Sequence, residues 1–254
     1  MSRIAVVIPA YNEAATIGAV AKAACTIGAL VIVVDDGSAD GTSGCLDTAA
    51  VTLLRNDANC GKGASLWRGM QQALALGAEA IVTLDGDGQH PPERIGCLVA
   101  AHQEYPERVI IAARMLERQR MPETRRFGNE VADFWISWAA GCPIFDSQSG
   151  FRLYPAALLA NLHLRHGRSR SFVFESEILI EAARRGFRPL AVPIEAVYHN
   201  QARRSHYRPW LDTVRIISMV AGKLIRRGMD PAGLICSRRH RPEVYRAQAP
   251  SVGV

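Results

Sequence analysis

The sequence predicts an α/β fold, Rossmann-like, in which helices cover both faces of a mostly parallel central sheet. Five short apolar runs lack the alternation of apolar and polar residues that marks a strand with one wet face, so both faces of each strand should be buried. Helix-like stretches separate the runs, as the crossovers between parallel strands require. Three runs end in acids, glycine or proline, at the strand ends where α/β proteins bind ligands. A chain of 254 residues can form one such domain with an extension.

The elements are predicted in the following order. The first half contains strands at 4–9, 29–34, 51–54, 80–84 and 109–112, with helices ending near 27, at 42–50, and ending near 76 and 104. A charged loop at 116–123, helices at 125–140 and from 172–177 to about 185, and a strand at 188–198 follow. Pro193 places that strand at an edge or a bend, because proline has no N–H to donate to a neighbour. After a last helix at 209–227, we expect residues 237–254 to be poorly ordered.

Composition narrows the setting of the protein. The six cysteines are scattered without a C-x-x-C pair, which predicts reduced cytosolic thiols rather than a zinc or redox site. The sequence runs directly into a strand and has no apolar run of about 18 residues, so we expect a cytoplasmic protein without a signal peptide or a membrane span. The net charge of +6 is uneven, since residues 201–254 contribute +8 and the remainder −2. A basic C-terminus is typical of contact with nucleic acid or an anionic membrane, or of a soluble tail.

The stretch Asp85-Gly-Asp87 carries the strongest chemical signal. It follows the apolar run 80–84, and residues two apart lie on the same side of an extended backbone. Two such carboxylates repel each other unless a cation lies between them, and a hard divalent cation such as Mg²⁺ suits oxygen ligands. The competing interpretation is a solvated turn, because Asp-Gly is a common turn dipeptide.

Acids also follow the first two strands. Glu13 lies beyond the first strand, and Asp35 and Asp36 end the second, so a parallel sheet would bring them to one rim with the Asp-Gly-Asp stretch. Such a rim can bind phosphate through a metal, or a sugar or base through hydrogen bonds. Lys62, between two glycines at a helix start, adds a cation and backbone N–H groups. Its spacing is not that of a Walker loop, and a helix cap with a surface lysine is the alternative.

These motifs resemble, in order and rough spacing, those of family 2 glycosyltransferases of GT-A fold over residues 3–208. The segments are Pro9-Ala-Tyr11-Asn12-Glu13, Val34-Asp-Asp-Gly-Ser38, Asp40-Gly-Thr42, Gly61-Lys-Gly63 and Asp85-Gly-Asp87-Gly-Gln89-His-Pro91. Ser149-Gly-Phe-Arg152 and Phe174-Glu-Ser-Glu177 are similar to the dolichyl-phosphate mannosyltransferase-like branch. The resemblance implies a GT-A domain at 1–208, with a nucleotide-sugar-binding half at 1–114 and an acceptor-binding half at 115–208. An amphipathic helix and a basic tail would occupy 209–254.

The resemblance also implies roles for individual residues. The predicted nucleotide-sugar contacts, with Lys62 added from its place at a helix start, are Pro9, Tyr11, Glu13, Asp35, Asp36, Lys62, Asp85, Arg114 and Arg126. Among these, Asp36 would hold the base and the two arginines the donor phosphates. Asp85 and Asp87 would bind Mg²⁺ or Mn²⁺, with Gln89 near the metal and the sugar. A metal and arginines would stabilise the negative charge that develops on the departing nucleoside diphosphate.

The acceptor side depends on fewer residues. The branch implies a lipid phosphate as nucleophile, which is ionised at pH 7 and needs no strong base. A hydroxyl acceptor would need Asp146, Glu175 or Glu177 to take a proton, and these three join Asp87 and Gln89 as candidate catalytic residues. Ion pairing with arginine is the alternative for all three. The chain departs from the branch at Glu175, where Gln is expected, and at 205–207, where Ser-His-Tyr replaces a Ser-Lys-Leu-like motif.

The predicted helix at 209–227 is amphipathic. Its apolar stripe consists of Trp210, Val214, Ile217, Ala221 and Leu224. Its basic side consists of Arg215, Lys223, Arg226 and Arg227. A basic face suits an anionic bilayer, which predicts peripheral association with the cytoplasmic side of a membrane. A helix packed on the core with a solvated basic side is the alternative.

The leading hypothesis is an inverting, metal-dependent glycosyltransferase that moves a hexose from a nucleotide-diphosphate sugar to a polyprenyl phosphate or other lipid. A glycosyltransferase with a soluble hydroxyl acceptor is the first alternative. A nucleotidyltransferase would usually carry a Gly-rich basic loop after the first strand, where this chain has Pro9 to Glu13. A non-catalytic module that binds nucleic acid or membrane through the tail conflicts with the acidic rim, so no nucleic-acid partner is expected.

Overall fold

The computed structural model describes residues 3–115, 123–164, 166–167, 173–195 and 209–246, without the side chains of 124, 125 and 209–213. The strands in these ranges are β1 (Ile4–Ala10), β2 (Leu30–Asp35), β3 (Thr52–Arg55), β4 (Ala80–Thr83), β5 (Val109–Ala113), β6 (Arg152–Pro155) and β7 (Pro189–Pro193). The α-helices are α1 (Ile17–Cys25), α2 (Lys62–Ala75), α3 (Ile95–Glu104), α4 (Glu123–Ala140), α5 (Ala156–Ala160), α6 (Val173–Arg184), α7 (Pro209–Arg226) and α8 (Pro231–Arg239). Four predicted features lie wholly or partly outside the described residues. They are the charged loop at 116–122, the helix start at 172, the strand end at 196–198 and the Ser-His-Tyr stretch at 205–207.

The strands form one sheet in the order β3-β2-β1-β4-β6-β5-β7, mostly parallel as predicted. The exception is β6, which pairs antiparallel with both β4 and β5. Sequence reasoning missed β6 and the short α5, because Arg152-Leu-Tyr-Pro155 has no apolar run and owes its place to remote partners. The neighbouring parallel strands β1, β2 and β4 end at one rim, which confirms the predicted convergence of their acidic ends.

Helices cover both faces of the sheet, as predicted. On one face, α1 and α3 pack over a core that includes Val6 of β1. On the other face, α2, α4, α5 and α6 surround a core that includes Val7 of β1, Met70, Ile136 and Phe174. Successive β1 side chains therefore enter opposite cores, which explains why this strand shows no polar alternation.

Residues 42–50, predicted as a helix, form only a short 3-10 turn at Thr42–Cys45. Gly41 precedes the turn at φ 86°, in the left-handed region that favours glycine. The Ser43 hydroxyl donates to the buried carboxylate of Asp35. Polar side chains here bond to a strand end instead of leaving the backbone free to continue a helix, which corrects the prediction.

The apolar face that α7 packs on the protein differs from the predicted stripe. Val220 and Leu224 are buried against α6 and α4, but Val214 and Ile217 are each 57% exposed. Only Leu224 of the predicted stripe therefore belongs to the core, and the side chain of Trp210 lies outside the described residues. Across the described ranges, no helix combines the length and apolarity needed to cross a bilayer.

The predicted basic side of α7 is also divided. Lys223 Nζ lies 3.0 Å from Glu177 Oε1 and 2.6 Å from Glu181 Oε1, both on α6. Arg227 lies beside them, with Nη2 3.7 Å from Glu181 Oε1, whereas Arg226 is exposed. Ion pairs with the carboxylates of α6 thus help to determine which side of α7 faces inward. The hydropathy pattern of α7 alone does not predict these ion pairs.

The C-terminal residues up to 246 are ordered against the sheet, which corrects the expectation for this part of the tail. Ala191 N donates to Glu243 O at 2.9 Å, and Tyr245 N donates to Ala191 O at 2.8 Å. Arg108 Nη2 lies 2.8 Å from Glu243 Oε2. The segment therefore covers β7, whose predicted edge position the strand order confirms.

Candidate active site

The loops that follow β1 and β2 lie side by side at the carboxyl rim. Asn12 N donates to Ser38 Oγ at 2.8 Å, and Glu13 N donates to Thr42 Oγ1 at 2.8 Å. Asn12 has φ 55°, a conformation that asparagine tolerates better than most residues. The backbone of the segment after β1 is thereby held beside the end of β2. This is where the resemblance places the nucleotide.

Asp35 is fully buried at the end of β2. Its Oδ1 accepts a hydrogen bond from Ser38 N at 2.9 Å, and its Oδ2 accepts one from the Ser43 hydroxyl. Arg55 Nε lies 3.6 Å from Oδ2. Burial by itself would raise the pKa of Asp35, but these partners outweigh burial and hold the pKa below its usual value. The role of Asp35 visible in the structure is to organise the loop after β2.

Asp36, also buried, orients the loop that leads into α2. Its Oδ1 accepts hydrogen bonds from Asn56 Nδ2 at 2.7 Å and from Cys60 N at 2.8 Å. Its Oδ2 accepts one from Gly61 N at 2.8 Å. These bonds fix the backbone immediately before Lys62. Contact between Asp36 and a nucleotide base stays a prediction.

Asp85 precedes a turn formed by Gly86 and Asp87, so the backbone from Asp85 to Asp87 is not extended, and that detail of the prediction was wrong. Burial raises the pKa of Asp87, and the nearby charge of Asp85 raises it further. Gln89 N donates to Asp87 Oδ1 at 3.0 Å. Thr16 Oγ1 donates to Gly86 O at 2.7 Å, which connects this turn to the segment after β1.

Lys62 joins the two halves of the chain at this rim. Its Nζ lies 2.7 Å from Asp85 Oδ1 and 3.0 Å from Glu175 Oε2. Burial by itself would lower the pKa of Lys62, but the two carboxylates outweigh burial and raise it. Likewise, burial would raise the pKa of Asp85, and Lys62 more than offsets this. Lys62 is therefore part of the charged cluster, unlike the surface lysine of the alternative interpretation.

Gly150 provides the space for this cluster. A Cβ atom at position 150 would lie 2.8 Å from Asp85 Oδ2, 3.0 Å from Glu175 Oε1 and 3.1 Å from Lys62 Nζ. Thr83 Oγ1 donates to Gly150 O at 2.8 Å and holds this backbone against β4. The close approach requires the absence of a side chain at this position.

Arg114 and Asp146 form a bidentate ion pair. Arg114 Nε donates to Asp146 Oδ2 at 2.9 Å, and Nη2 donates to Oδ1 at 2.6 Å. Burial would raise the pKa of Asp146, but Arg114 outweighs burial and holds it below its usual range. The structure therefore shows Asp146 in an ion pair with arginine, which was the alternative to its prediction as a catalytic base. Proton transfer by Asp146 and phosphate contact by Arg114 stay predictions.

His90 is buried near these charged groups. Its ring centre is 5.6 Å from that of Phe151, and burial lowers its pKa to about 4, so the imidazole is neutral at pH 7. The charges of Asp85, Arg114, Lys62 and Asp146 all reach this ring. Thr83 of β4 and Ile111 of β5 both pair with Arg152 of β6, so Asp85 and Arg114, which follow these two strands, lie at the same rim of the sheet.

Arg152 is an organising residue that sequence reasoning quoted in a motif but assigned no role. Its guanidinium is buried, with Nη1 donating to Glu175 O at 2.6 Å and Nη2 to Ser147 O at 2.7 Å. It connects the segment before β6 to the first turn of α6, and so positions Glu175. A signal was present, since an arginine in the run Phe151-Arg-Leu-Tyr154 is rarely buried unless it is bonded.

The remaining predicted residues lie around this cluster. Pro9 is a buried residue of β1, and Tyr11 is half-buried just beyond it. Glu177 faces α7, where Lys223 is its partner. Arg126, in the first turn of α4, lies 3.8 Å from Glu123 of its own helix. The proposed roles of these four residues in binding and catalysis stay predictions.

Asp133 of α4 should make stability depend on pH. Its carboxylate accepts hydrogen bonds from Asp146 N at 3.1 Å and Ser147 N at 2.8 Å, and burial raises its pKa from 3.8 to about 6. Because the folded pKa is the higher one, the contribution to stability is complete below pH 3.8 and is lost as pH rises through about 6. Asparagine does not ionise, so Asp133→Asn should not lose this contribution. We therefore expect its unfolding free energy to rise by about 1–3 kcal/mol relative to that of wild type when the pH is raised from about 4 to about 7.

Urea unfolding of both proteins at the two pH values measures this difference. Asp57→Asn, at an exposed position, is the matched control for removal of one carboxylate. A difference between Asp133→Asn and wild type that stays constant with pH would contradict the assignment.

The cluster fits a divalent metal that is bound together with a diphosphate. Asp85 and Asp87 offer carboxylate oxygens, the ligands that Mg²⁺ and Mn²⁺ prefer. In the part of the chain that the structure describes, no three His, Cys, Asp or Glu side chains are grouped to cage an ion. Mg²⁺ often takes only one or two protein carboxylates and completes its shell with waters and substrate phosphates. Burial and the charge of Asp85 both raise the pKa of Asp87, and a bound cation would favour its ionised form.

Fold and site together define an α/β transferase of GT-A type. Glucosyl-3-phosphoglycerate synthase of Mycobacterium tuberculosis, solved with UDP, has a TM-score of 0.68 over 87% of this chain and 80% of that one, at 22% identity. The chain belongs to glycosyl transferase family 2, whose model matches residues 5–175. It is therefore a glycosyltransferase, and the predicted GT-A fold is confirmed.

Two relatives place the chain within the family. Undecaprenyl-phosphate mannosyltransferase of Micrococcus luteus is 29% identical over 216 residues, which cover 77% of this chain and 84% of that protein. UDP-N-acetylglucosamine–dolichyl-phosphate N-acetylglucosaminyltransferase of Methanococcus voltae is also 29% identical over 216 residues, with 77% and 86% covered. The predicted resemblance to the dolichyl-phosphate mannosyltransferase-like branch is confirmed.

Proposed function

We propose that this protein is an inverting, metal-dependent hexosyltransferase that uses a nucleotide-diphosphate sugar. The observation that carries the proposal is the cluster of Asp85, Asp87 and Lys62 at the rim where Arg114 also ends its strand. The mycobacterial synthase, solved with Mn²⁺ and UDP-glucose, supports a metal-bound donor. Mg²⁺ or Mn²⁺, when bound by the two aspartates, would offset the charge of the leaving diphosphate.

The chain's own residues would divide the work of donor binding. The loops after β1 and β2 would flank the nucleotide, and Asp36 would hold its base as well as its own loop. Lys62 and Arg114 would stabilise negative charge on the diphosphate, because their cations are held at the rim before the donor arrives. Direct attack by the acceptor in a single displacement would invert the anomeric carbon.

We propose a polyprenyl phosphate as the acceptor. Both relatives are named for transfer to a polyprenyl or dolichyl phosphate, which supports this class. A phosphate is ionised at neutral pH, so it can attack without a base. A soluble hydroxyl acceptor remains the alternative for the same site. Of the three candidate bases, Glu175 would first have to leave Lys62 in order to take the proton.

The test is a release assay with UDP- and GDP-sugars, Mg²⁺ or Mn²⁺, and the acceptor varied. We expect metal-dependent release of nucleoside diphosphate that polyprenyl phosphate stimulates. Stimulation only by soluble hydroxyl compounds would favour the alternative acceptor. Full activity in EDTA would overturn the metal dependence.

We propose that the acceptor is met at an anionic membrane, through a surface formed by the outer sides of α4 and α7, called the α4–α7 surface below. Its exposed apolar side chains are Phe127, Val131, Trp135, Val214, Ile217 and Ile225. The two helices contact each other, and exposed arginines lie on α7 at Arg226 and on α8 at Arg238 and Arg239. Apolar groups bordered by arginines complement the boundary of an anionic bilayer. This proposal replaces the predicted basic face with an apolar one.

The double variant Ile217→Asp/Ile225→Asp is expected to bind vesicles at least about tenfold more weakly, because two exposed isoleucines would no longer enter the bilayer boundary. Flotation with phosphatidylglycerol–phosphatidylcholine vesicles measures the loss. Ile27→Asp, at an exposed position after α1, is the matched control. Equal flotation of wild type and the double variant would defeat the proposed surface.

A further inference from the structure

The carboxylate of Asp85 faces Lys62 and Gly150. Its Oδ1 lies 2.7 Å from Lys62 Nζ, and its Oδ2 lies 2.8 Å from where a Cβ atom of residue 150 would be. Oδ1 is thus engaged by Lys62, and Oδ2 faces the side of Gly150 where a side chain is absent. A metal ion shared by the two aspartates would need one of these oxygens and would repel the ammonium beside it.

The same ammonium neutralises a second carboxylate. Lys62 Nζ lies 3.0 Å from Glu175 Oε2, and Arg152 holds the backbone of Glu175 in place through its carbonyl oxygen at 2.6 Å. Without Lys62, the carboxylates of Asp85 and Glu175 would lie close together with no cation between them. The lysine therefore occupies the position where positive charge is needed before a donor is present.

We propose that Lys62 is a mobile counter-ion that competes with the metal for Asp85 and moves onto the diphosphate when the donor binds. Four flexible side-chain torsions allow the ammonium to change partner while Gly61 and α2 stay fixed. Its departure leaves Asp85 free for the metal and releases Glu175 towards the acceptor side. This inference rests on the proposed donor site and adds an order of binding, because the metal should bind tightly only together with the nucleotide.

Binding measurements without sugar transfer test the exchange. Lys62→Met is expected to bind Mn²⁺ about tenfold more tightly than wild type in the absence of nucleotide, because the competing cation is gone. With saturating Mn²⁺, the same variant is expected to bind UDP or GDP about tenfold more weakly, because the diphosphate has lost a cationic partner. Electron paramagnetic resonance of free Mn²⁺ and calorimetry give the two affinities.

The opposite signs of the two effects identify the exchange, since a merely structural role would weaken both affinities. Lys22→Met, at an exposed position on α1, is the matched control and should change neither. Lys62→Gln serves as a second variant if Lys62→Met fails to fold. Unchanged or weaker Mn²⁺ binding in the nucleotide-free variant would overturn the inference, even if sugar transfer is demonstrated. Opposed shifts would sustain it even if no transfer to the tested acceptors is found.

Discussion

Asp87→Ala is expected to lower kcat/KM for sugar transfer by about 10³-fold or more while the protein stays folded. Asp87 is the aspartate of the pair whose carboxylate is not held by Lys62, so it is the group best placed to receive the metal–diphosphate. Loss of a group that stabilises charge at the leaving oxygen typically costs about 10²–10³-fold in rate, and loss of the metal adds to it. Initial rates with the donor and metal identified in the release assay measure the effect.

Stability separates this catalytic loss from misfolding. Burial and the charge of Asp85 raise the pKa of Asp87, so ionised Asp87 is disfavoured in the fold. Its removal should leave the melting temperature unchanged or raise it slightly. Asp57→Ala, at an exposed position, should retain wild-type rates. An Asp87→Ala protein with wild-type turnover would show that the metal site has been assigned to the wrong residues.

Gly150→Ala is expected to lower kcat/KM by about 10²-fold with little change in stability. The added methyl group would lie within 3.1 Å of atoms of Asp85, Glu175 and Lys62, so these side chains must move. All three contacts involve the ends of flexible side chains, so the backbone can stay in place and the unfolding free energy should change by about 1 kcal/mol or less. A displacement of about 1 Å at reacting groups commonly costs about 10²-fold in rate.

Gly96→Ala is the matched control for this variant. Gly96 lies in α3, and a Cβ atom there would contact nothing within 4 Å. Alanine within a helix should raise stability by about 1 kcal/mol without changing the rate. Wild-type kinetics in Gly150→Ala, measured beside this control, would mean that the geometry of the Lys62 cluster does not matter for transfer.

Much of the fold could be predicted because it depends on local patterns. The apolar runs of β1, β2 and β4 identify strands buried on both faces, and parallel pairing then brings their acidic ends together. Segment 42–50 could not be predicted in the same way. There the hydroxyl of Ser43 bonds to Asp35, and this contact outweighs a weak helical pattern.

In the candidate site, too, local patterns could be predicted and contacts between remote residues could not. Asp85, Asp87 and Asp36 could be placed at the rim because each lies within three residues of the end of an apolar run, and chain direction alone brings these strand ends together. Partners remote in the sequence could not be identified, since nothing near Lys62 indicates that Glu175 lies 3.0 Å from its ammonium. The sequence indicated no role for Arg152, because its hydrogen bonds to remote residues form only when β6 lies between β4 and β5.

The sequence by itself determined the parallel sheet, the acidic rim and the family, because these follow from periodicity and from short motifs. Only the tertiary structure decided which charges are paired and which face of α7 is exposed. Pairing depends on distances between side chains from different elements, and the acids of α6 draw Lys223 inward against the expectation from hydropathy. Part of the basic face predicted to meet a membrane is therefore engaged in ion pairs with α6. The apolar side chains of the α4–α7 surface are exposed instead.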